Sequence, residues 1–348
     1  MLIEDISQAR GVSGNEGAVR ALLLEAVKER IDEHRVDALG NLICLRKARR
    51  PAAAGAPAKV MVAAHMDEIG LIITGINPDG TLRYAQVGGI DDRILLSKQV
   101  LVGENALPGI IGYRPIHLIP PAERERAADM SKSAIDIGAT SKAGAERLVH
   151  PGDYVTFASK FELLGEAPDQ TVKGRAFDDR AGCAVLCEIL QDDYAFDLYV
   201  VFTCQEEVGL RGAIASAFSV APDVGLVLEG TICDDLPRKK DVSPVTELGK
   251  GPVIDFMDNS MIADQRLVKL LVRAAQENGI PYQYKRMIAG GTDAGAIQLS
   301  RAGVPVVTMA VPVRYLHAPI CLMNLADYNH TVQLAVAGLH LLEGGLGS

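Results

Sequence analysis

Tryptophan is missing from this chain of 348 residues, and aromatic residues reach only 5%. A groove that grips sugar rings by stacking has little to be built from, which weighs against glycoside hydrolysis even though that chemistry needs only two carboxylates. Basic charge is also short: 35 Lys and Arg face 44 Asp and Glu, a net charge of −9. Binding along a phosphate backbone needs basic patches, so nucleic acid is not an expected partner. No apolar run approaches the roughly 20 residues of a membrane helix. The opening MLIEDISQAR is acidic where a secretory leader would be basic and then apolar. These absences predict a cytoplasmic protein with no membrane partner. The six cysteines (Cys44, Cys183, Cys187, Cys204, Cys233 and Cys321) form neither a CxxC pair nor a disulfide-like framework. They read as small buried hydrophobes. Cys204 lies two residues before a glutamate pair, but inside an apolar strand run that favours packing over catalysis.

Hydrophobic residues make up 48% and charged residues 23% of the chain, as in a soluble globular enzyme. The length allows one large domain or two ordinary ones. Ser13 and Glu16 in SGNE read as a capping box for the helix VRALLLEAVKER. NLICLRK and KVMVAAHMD read as strands joined by the loop PAAAGAPA. From about Gly70 to Gly165 the texture changes to short β-like runs (LIITGI, TLRYAQV, QVLVG, GIIGYR, DYVTFA) separated by turns such as Pro78-Asp79-Gly80. The pattern predicts a small β-rich domain over 70–165 inserted into a catalytic domain made of 1–69 and 166–348. In the latter, helical periodicity in RAGCAVLCEILQDD and QRLVKLLVRAAQEN alternates with the apolar strands LYVVFTC and VGLVLEG. Such alternation predicts an α/β fold, a sheet flanked by helices on both faces.

Acids and histidines recur just past the apolar runs: His65 and Asp67, Asp178, Glu206 and Glu207, Glu229, and His317. Ligands of open α/β sheets bind outside the carboxyl ends of the strands, so these groups can converge. Oxygen and imidazole donors without thiolates suit two divalent metals doing hydrolysis. In His65-Met66-Asp67 one residue would bind metal while the other orients it. Adjacent carboxylates at Glu206-Glu207 repel each other unless a cation compensates; one on a metal leaves the other as general base. Asp178-Asp179, flanked by Arg175 and Arg180, reads either as a turn with local salt bridges or as a carboxylate shared by two metals. Thr292 or Asp293 in GGTDAGAIQ would cap a helix beside the site. Arg314 would meet a substrate carboxylate or an internal acid.

Together AHMDEIG, AFDDRAG, QEEVGLRGA, GGTDAGAI and the P-x-R-Y-x-H element resemble the M42 family of metallo-aminopeptidases, the tetrahedral and glutamyl aminopeptidase group, over essentially the whole chain. The resemblance implies a zinc-peptidase-like catalytic domain with a mixed sheet, an inserted domain serving assembly, and dimers building a homo-oligomeric dodecamer. It implies two divalent ions per subunit (Zn, Co or Mn), Asp178 bridging them, His65 and Glu229 completing one site, and Glu207 and His317 the other. Glu206 would be the general base and Asp67 the partner orienting His65; a cis peptide would follow Asp178. Many members carry Asp where this chain has Glu229, so Asp234 or Asp235 competes for that role. Ala318 follows His317 where Ser is frequent, and Cys321 stands in a stretch that is often acidic. The implied function is removal of the N-terminal residue from peptide substrates. The alternatives are a metal-dependent deacylase or carboxypeptidase of related fold, a glycoside hydrolase, and an inactive assembly scaffold.

Overall fold

The computed structural model describes residues 1–124, 128–166, 170–236 and 244–346. Strands β1 (Glu33–Val36), β2 (Leu42–Arg46) and β3 (Lys59–His65) come first, after helices α1 (Leu2–Gln8) and α2 (Gly17–Val27). Six strands follow: β4 (Gly70–Ile76), β5 (Leu82–Val87), β6 (Gln99–Val102), β7 (Leu107–Gly112), β8 (Ala134–Asp136) and β9 (Tyr154–Phe157), with two single-turn helices, α3 (Pro121–Arg124) and α4 (Lys142–Ala145), among them. The chain then runs through β10 (Glu162–Leu164), β11 (Thr171–Gly174), α5 (Phe177–Ile189), β12 (Asp197–Thr203), α6 (Arg211–Val220) and β13 (Val224–Cys233). It finishes with β14 (Val253–Asp255), α7 (Gln265–Glu277), β15 (Gln283–Tyr284), α8 (Asp293–Gln298), β16 (Val306–Arg314), β17 (Cys321–Asn324) and α9 (Leu325–Leu342).

Among the described residues β4 to β9 close into an antiparallel barrel in the order β4-β5-β8-β7-β6-β9. Alternate residues fill its interior, Leu71 and Ile73 from β4, Val100 and Val102 from β6, Val155 and Phe157 from β9, as the two-residue period of a strand requires. β8 had no signal in the sequence; it is three residues long. β10, though it lies inside the span 70–165, pairs with β11 and belongs to the other sheet.

That sheet is mixed and runs β1-β2-β12-β3-β13-β16-β17-β11-β10, with β14 and β15 attached at β16. Its centre is parallel: β3 lies between β12 and β13, and β13 pairs with β16. Strands buried on both faces read as unbroken apolar runs, which is why KVMVAAH and VGLVLEG lack alternation. The helices pack in two groups, α6 with α8 and α5 with α1, α2 and α9, each against the central strands. No helix among the described residues is long and apolar enough to cross a membrane.

Register decides where the chemistry lands. Thr203 is level with His65, so the QEE segment after β12 emerges beside the end of β3. Val227 is level with Ala63, which brings Glu229 alongside His65, and Ala310 is level with Glu229, so β16 delivers His317 just beyond the same edge.

Two local expectations are corrected. Ser13 does not cap α2: the N-cap residue is Glu16 and makes no side-chain cap bond. Ser13 Oγ instead donates to Asp67 Oδ2 at 2.6 Å, and Glu16 Oε1 accepts from the amides of Gly14 and Gln205. Neither Thr292 nor Asp293 caps α8 with its side chain; Asp293 Oδ2 accepts from the buried Thr203 hydroxyl.

Candidate metal centre

Asp178 stands between the two histidines. Its Oδ1 is 3.3 Å from His65 Nε2 and its Oδ2 is 3.3 Å from His317 Nε2. Glu229 Oε1 lies 3.1 Å from His65 Nε2, and Glu207 Oε2 lies 3.6 Å from His317 Nε2. Donor atoms of His65, Asp178 and Glu229 all fall within 4.8 Å of one another, as do those of Asp178, Glu207 and His317. Glu206 is in neither triad; its Oε2 is 3.9 Å from His65 Nε2.

Asp67 fixes this arrangement from behind. Fully buried, it accepts from the Glu206 amide at 3.0 Å through Oδ1 and from the Glu207 amide at 3.2 Å through Oδ2, the oxygen that also takes Ser13. Both glutamates therefore hang from a backbone clamped to one carboxylate. His65 Nδ1 is 3.0 Å from the Asp67 carbonyl and 3.5 Å from its Oδ1, so the main chain is the nearer partner that orients the ring. His317 Nδ1 faces the Gly89 carbonyl at 2.9 Å, a contact supplied by the span 70–165.

The Asp178-Asp179 peptide is cis. The local-salt-bridge reading of this turn does not hold. Arg175 and the fully buried Arg180 both turn to Glu68, and Arg180 also holds the carbonyls of Met66 and Ala9. Arg314 meets an internal acid: it pairs with both oxygens of Asp235 at 2.5 and 2.8 Å. Neither triad contains Asp234 or Asp235. All six cysteines are buried, and Cys204 packs with its thiol on the Leu39 carbonyl.

Burial is the largest influence on the acids. It raises Glu229 to about 8, helped by Asp178 and Asp293 against the pull of His65. It raises Glu207 to about 7 and Asp293 to about 6, and holds Glu206 well above the usual carboxylate range. Asp178 moves the other way, because the two imidazoles outweigh burial and keep it ionised. Burial disfavours a charged His317, yet Asp178 and Glu207 lift it to about 10. Glu229 Oε2 is buried without a hydrogen-bond partner. Among the described residues the ion pairs of Asp178, Glu207 and Glu229 are with His65 and His317 alone. Acids crowded to the point of holding protons near neutrality, with an orphaned buried oxygen, fit divalent cations, whose charge lets every carboxylate ionise.

The triads open on a cleft of about 510 Å³ whose other walls include Ile232, Asp255, Lys285 and Gly290 to Thr292. Sequence reasoning missed Ser13, Gly89, Asp255 and Lys285 at this site. Nothing in their local patterns marks them, since each reaches it only through tertiary packing.

A peptide hydrolase is the class to which the comparisons assign this assembly of fold and site. The family model described as M42 glutamyl aminopeptidase matches residues 40–334. The lysyl aminopeptidase of Pyrococcus furiosus is 33% identical over 350 residues, covering 98% of this chain and 97% of that protein. An aminopeptidase from the archaeon Desulfurococcus kamchatkensis superposes with a TM-score of 0.90 at 35% identity, over 97% of this chain and 93% of that one. The TET1 peptidase of Pyrococcus horikoshii, which can assemble into a tetrahedron or a large octahedral shell, gives 0.84 at 35% identity over 97% and 98%. The chain belongs to the M42 aminopeptidase family.

Proposed function

We propose that the cleft removes the N-terminal residue from peptides with the help of two divalent ions, one held by His65, Asp178 and Glu229 and the other by Asp178, Glu207 and His317. The observation that carries this reading is the pair of donor triads sharing Asp178 while Glu206 stays outside both. Zn, Co and Mn all suit such donors. When bound, the ions supply Lewis acidity toward a peptide carbonyl and bring the pKa of water toward neutrality.

Glu206 acts as general base. Its main chain is held by Asp67, its carboxylate is free of either triad, and its burial raises its proton affinity. It takes the proton of the attacking water and returns it to the departing amine. Asp67 keeps His65 and both glutamates in register. The wall of carboxylates receives the free α-ammonium of the substrate, which favours cleavage at the chain end. By this reading the mixed sheet, formed by 1–69 and 166–348 together with β10, is a zinc-peptidase-like domain. The span 70–165 serves assembly, with dimers building a hollow dodecamer as the TET relative's tetrahedron suggests.

The test is hydrolysis of aminoacyl-p-nitroanilides and their N-blocked counterparts, with chelator and then with Zn, Co or Mn restored. Cleavage confined to free amino ends and dependent on metal is expected, with Glu206→Gln losing about 10²–10⁴ in kcat at unchanged metal content. Cleavage of blocked substrates would indicate a deacylase instead.

A further inference from the structure

The amides of the segment that carries Glu206 have no main-chain partner among the described residues. β12 ends at Thr203, and each of the next four amides donates to a side-chain oxygen from elsewhere in the chain. Cys204 donates to Asn41 Oδ1 at 3.0 Å, Gln205 to Glu16 Oε1 at 3.2 Å, Glu206 to Asp67 Oδ1 at 3.0 Å and Glu207 to Asp67 Oδ2 at 3.2 Å. Gln205 has a φ of 56°, in the left-handed region that a residue with a side chain keeps only when its surroundings hold it there. The two peptide planes that flank its Cα are the ones held by Glu16 and by Asp67. Glu16 is buried, and the oxygen it gives to Gln205 also takes the Gly14 amide at 2.6 Å. The chain just before it is docked beside the end of β3: the Gly11 amide donates to Glu68 Oε1 at 3.0 Å, and the Glu68 amide to the Gly11 carbonyl at 2.9 Å. No ion pair of Glu16 occurs among the described residues, and burial, with Asp67 adding to it, raises its pKa. What Glu16 offers Gln205 is therefore an acceptor oxygen more than a charge.

Resting on the general-base reading of Glu206 above, we infer that Glu16 is a positioning residue for that base, holding Gln205 left-handed and so fixing the direction in which Glu206 leaves the strand end. Glu207 belongs to a triad and Glu206 to neither. An ion fixes the carboxylate of Glu207 at its far end, whereas the carboxylate of Glu206 takes its place from the main chain alone. When the bond from Glu16 is lost, Gln205 relaxes toward negative φ, and the displacement falls on the base while the ligand stays. The N-terminal segment, which contributes no metal ligand, thereby sets the rate of the chemical step.

The experiment crosses two substitutions in the metal-loaded enzyme. Glu16→Gln keeps the acceptor and removes the charge; Glu16→Asp keeps the charge and withdraws the oxygen by one methylene. Aspartate is favoured at the helix N-cap that position 16 occupies, so the second variant is expected to fold with an unchanged urea midpoint. On the free-amino p-nitroanilide cleaved best, Glu16→Asp should lower kcat by about ten- to a hundredfold, as a misplaced catalytic group does. Its KM should stay within about twofold of wild type. Its metal affinity, read by competition with a chelator, should stay within about threefold, short of the loss that follows removal of a ligand's own support. Glu16→Gln should restore kcat to within about threefold of wild type, since the acceptor and not the charge is used. Hydrogen exchange in the metal-free protein gives the same answer without turnover: the 204–207 amides should exchange faster in Glu16→Asp and at the wild-type rate in Glu16→Gln. Equal kcat losses in the two variants, a loss confined to Glu16→Gln, or a fall in kcat matched by a fall in metal affinity or stability overturns the inference alone. Absence of cleavage of every free-amino substrate by the wild type overturns the aminopeptidase reading and this one together.

Discussion

Replacing Asp67 by Asn tests the idea that one buried carboxylate holds the centre together. The substitution keeps size and shape but exchanges one oxygen for an NH₂ donor. Asp67 Oδ1 serves the Glu206 amide at 3.0 Å; Oδ2 serves the Glu207 amide at 3.2 Å and Ser13 Oγ at 2.6 Å. Whichever way the new amide turns, one glutamate N–H faces a donor. A buried N–H left unsatisfied costs about 1–3 kcal/mol, and the surviving bonds lose their charge assistance, roughly half their strength. A net loss of about 3 kcal/mol is therefore expected in urea unfolding, with the slope unchanged. His65 keeps its nearer partner, the Asp67 carbonyl at 3.0 Å, so the ring stays oriented. Metal affinity, read by competition with a chelator, should fall toward the lower end of the range of about 10–100-fold found when such supporting partners are lost. Stability within about 0.5 kcal/mol of wild type would refute the clamp. A fall in affinity beyond about a thousandfold, far outside that range, would make Asp67 a ligand.

Two further outcomes follow from the same geometry. A Cβ on Gly230 would sit 2.9 Å from Asp178 Cα and 3.1 Å from its Cβ. Gly230→Ala should push the shared aspartate aside and weaken binding of both ions together, which a metal titration with two resolved steps would detect as a parallel loss. The metal-free protein should lose stability as pH rises. Glu207 and Glu229 keep their protons in the folded state up to about 7 and about 8 against an ordinary 4.5, and His317 up to about 10 against 6.5. The folded chain thus binds more protons than the unfolded one between about pH 5 and pH 10, and stability declines across that window. Asp178 and Asp67, whose pKa values are lowered, act only below it. A melting temperature that falls from pH 6 to pH 9 in chelator, and flattens when metal is restored, is the expected result; a rise would contradict the charge assignment.

The alternation of apolar runs and helical periods was enough to indicate an α/β sheet, and the short runs after Gly70 were enough to indicate a separate β-rich unit. The chain's own strand lengths and turn residues carry that information, because period and punctuation are local properties. The same locality singled out the acids and histidines beside apolar runs: His65 ends β3, and Glu207 and His317 follow β12 and β16, whereas Glu229 lies within β13 and Asp178 in the first turn of α5; the five are found together. What residues do when their partners are far away in sequence was not local. Ser13 and Glu16 have the spacing of a capping box, but Asp67 and the Gln205 amide, 54 and 189 residues distant, outcompete the helix end for their side chains. Arg175 and Arg180 sit beside two aspartates yet pair with Glu68, 107 and 112 residues distant, and Arg180 also holds the Met66 carbonyl. β8 is too short to show a period, and closes the barrel only because β5 and β7 present edges to it. Asp255 and Lys285 join the lining of the triads' cleft through the pairing of β14 with β15 and β16, a register no local pattern encodes. Sequence singled out which groups carry the chemistry; tertiary packing decided which of them meet, since hydrogen bonds and ion pairs are chosen by distance in space.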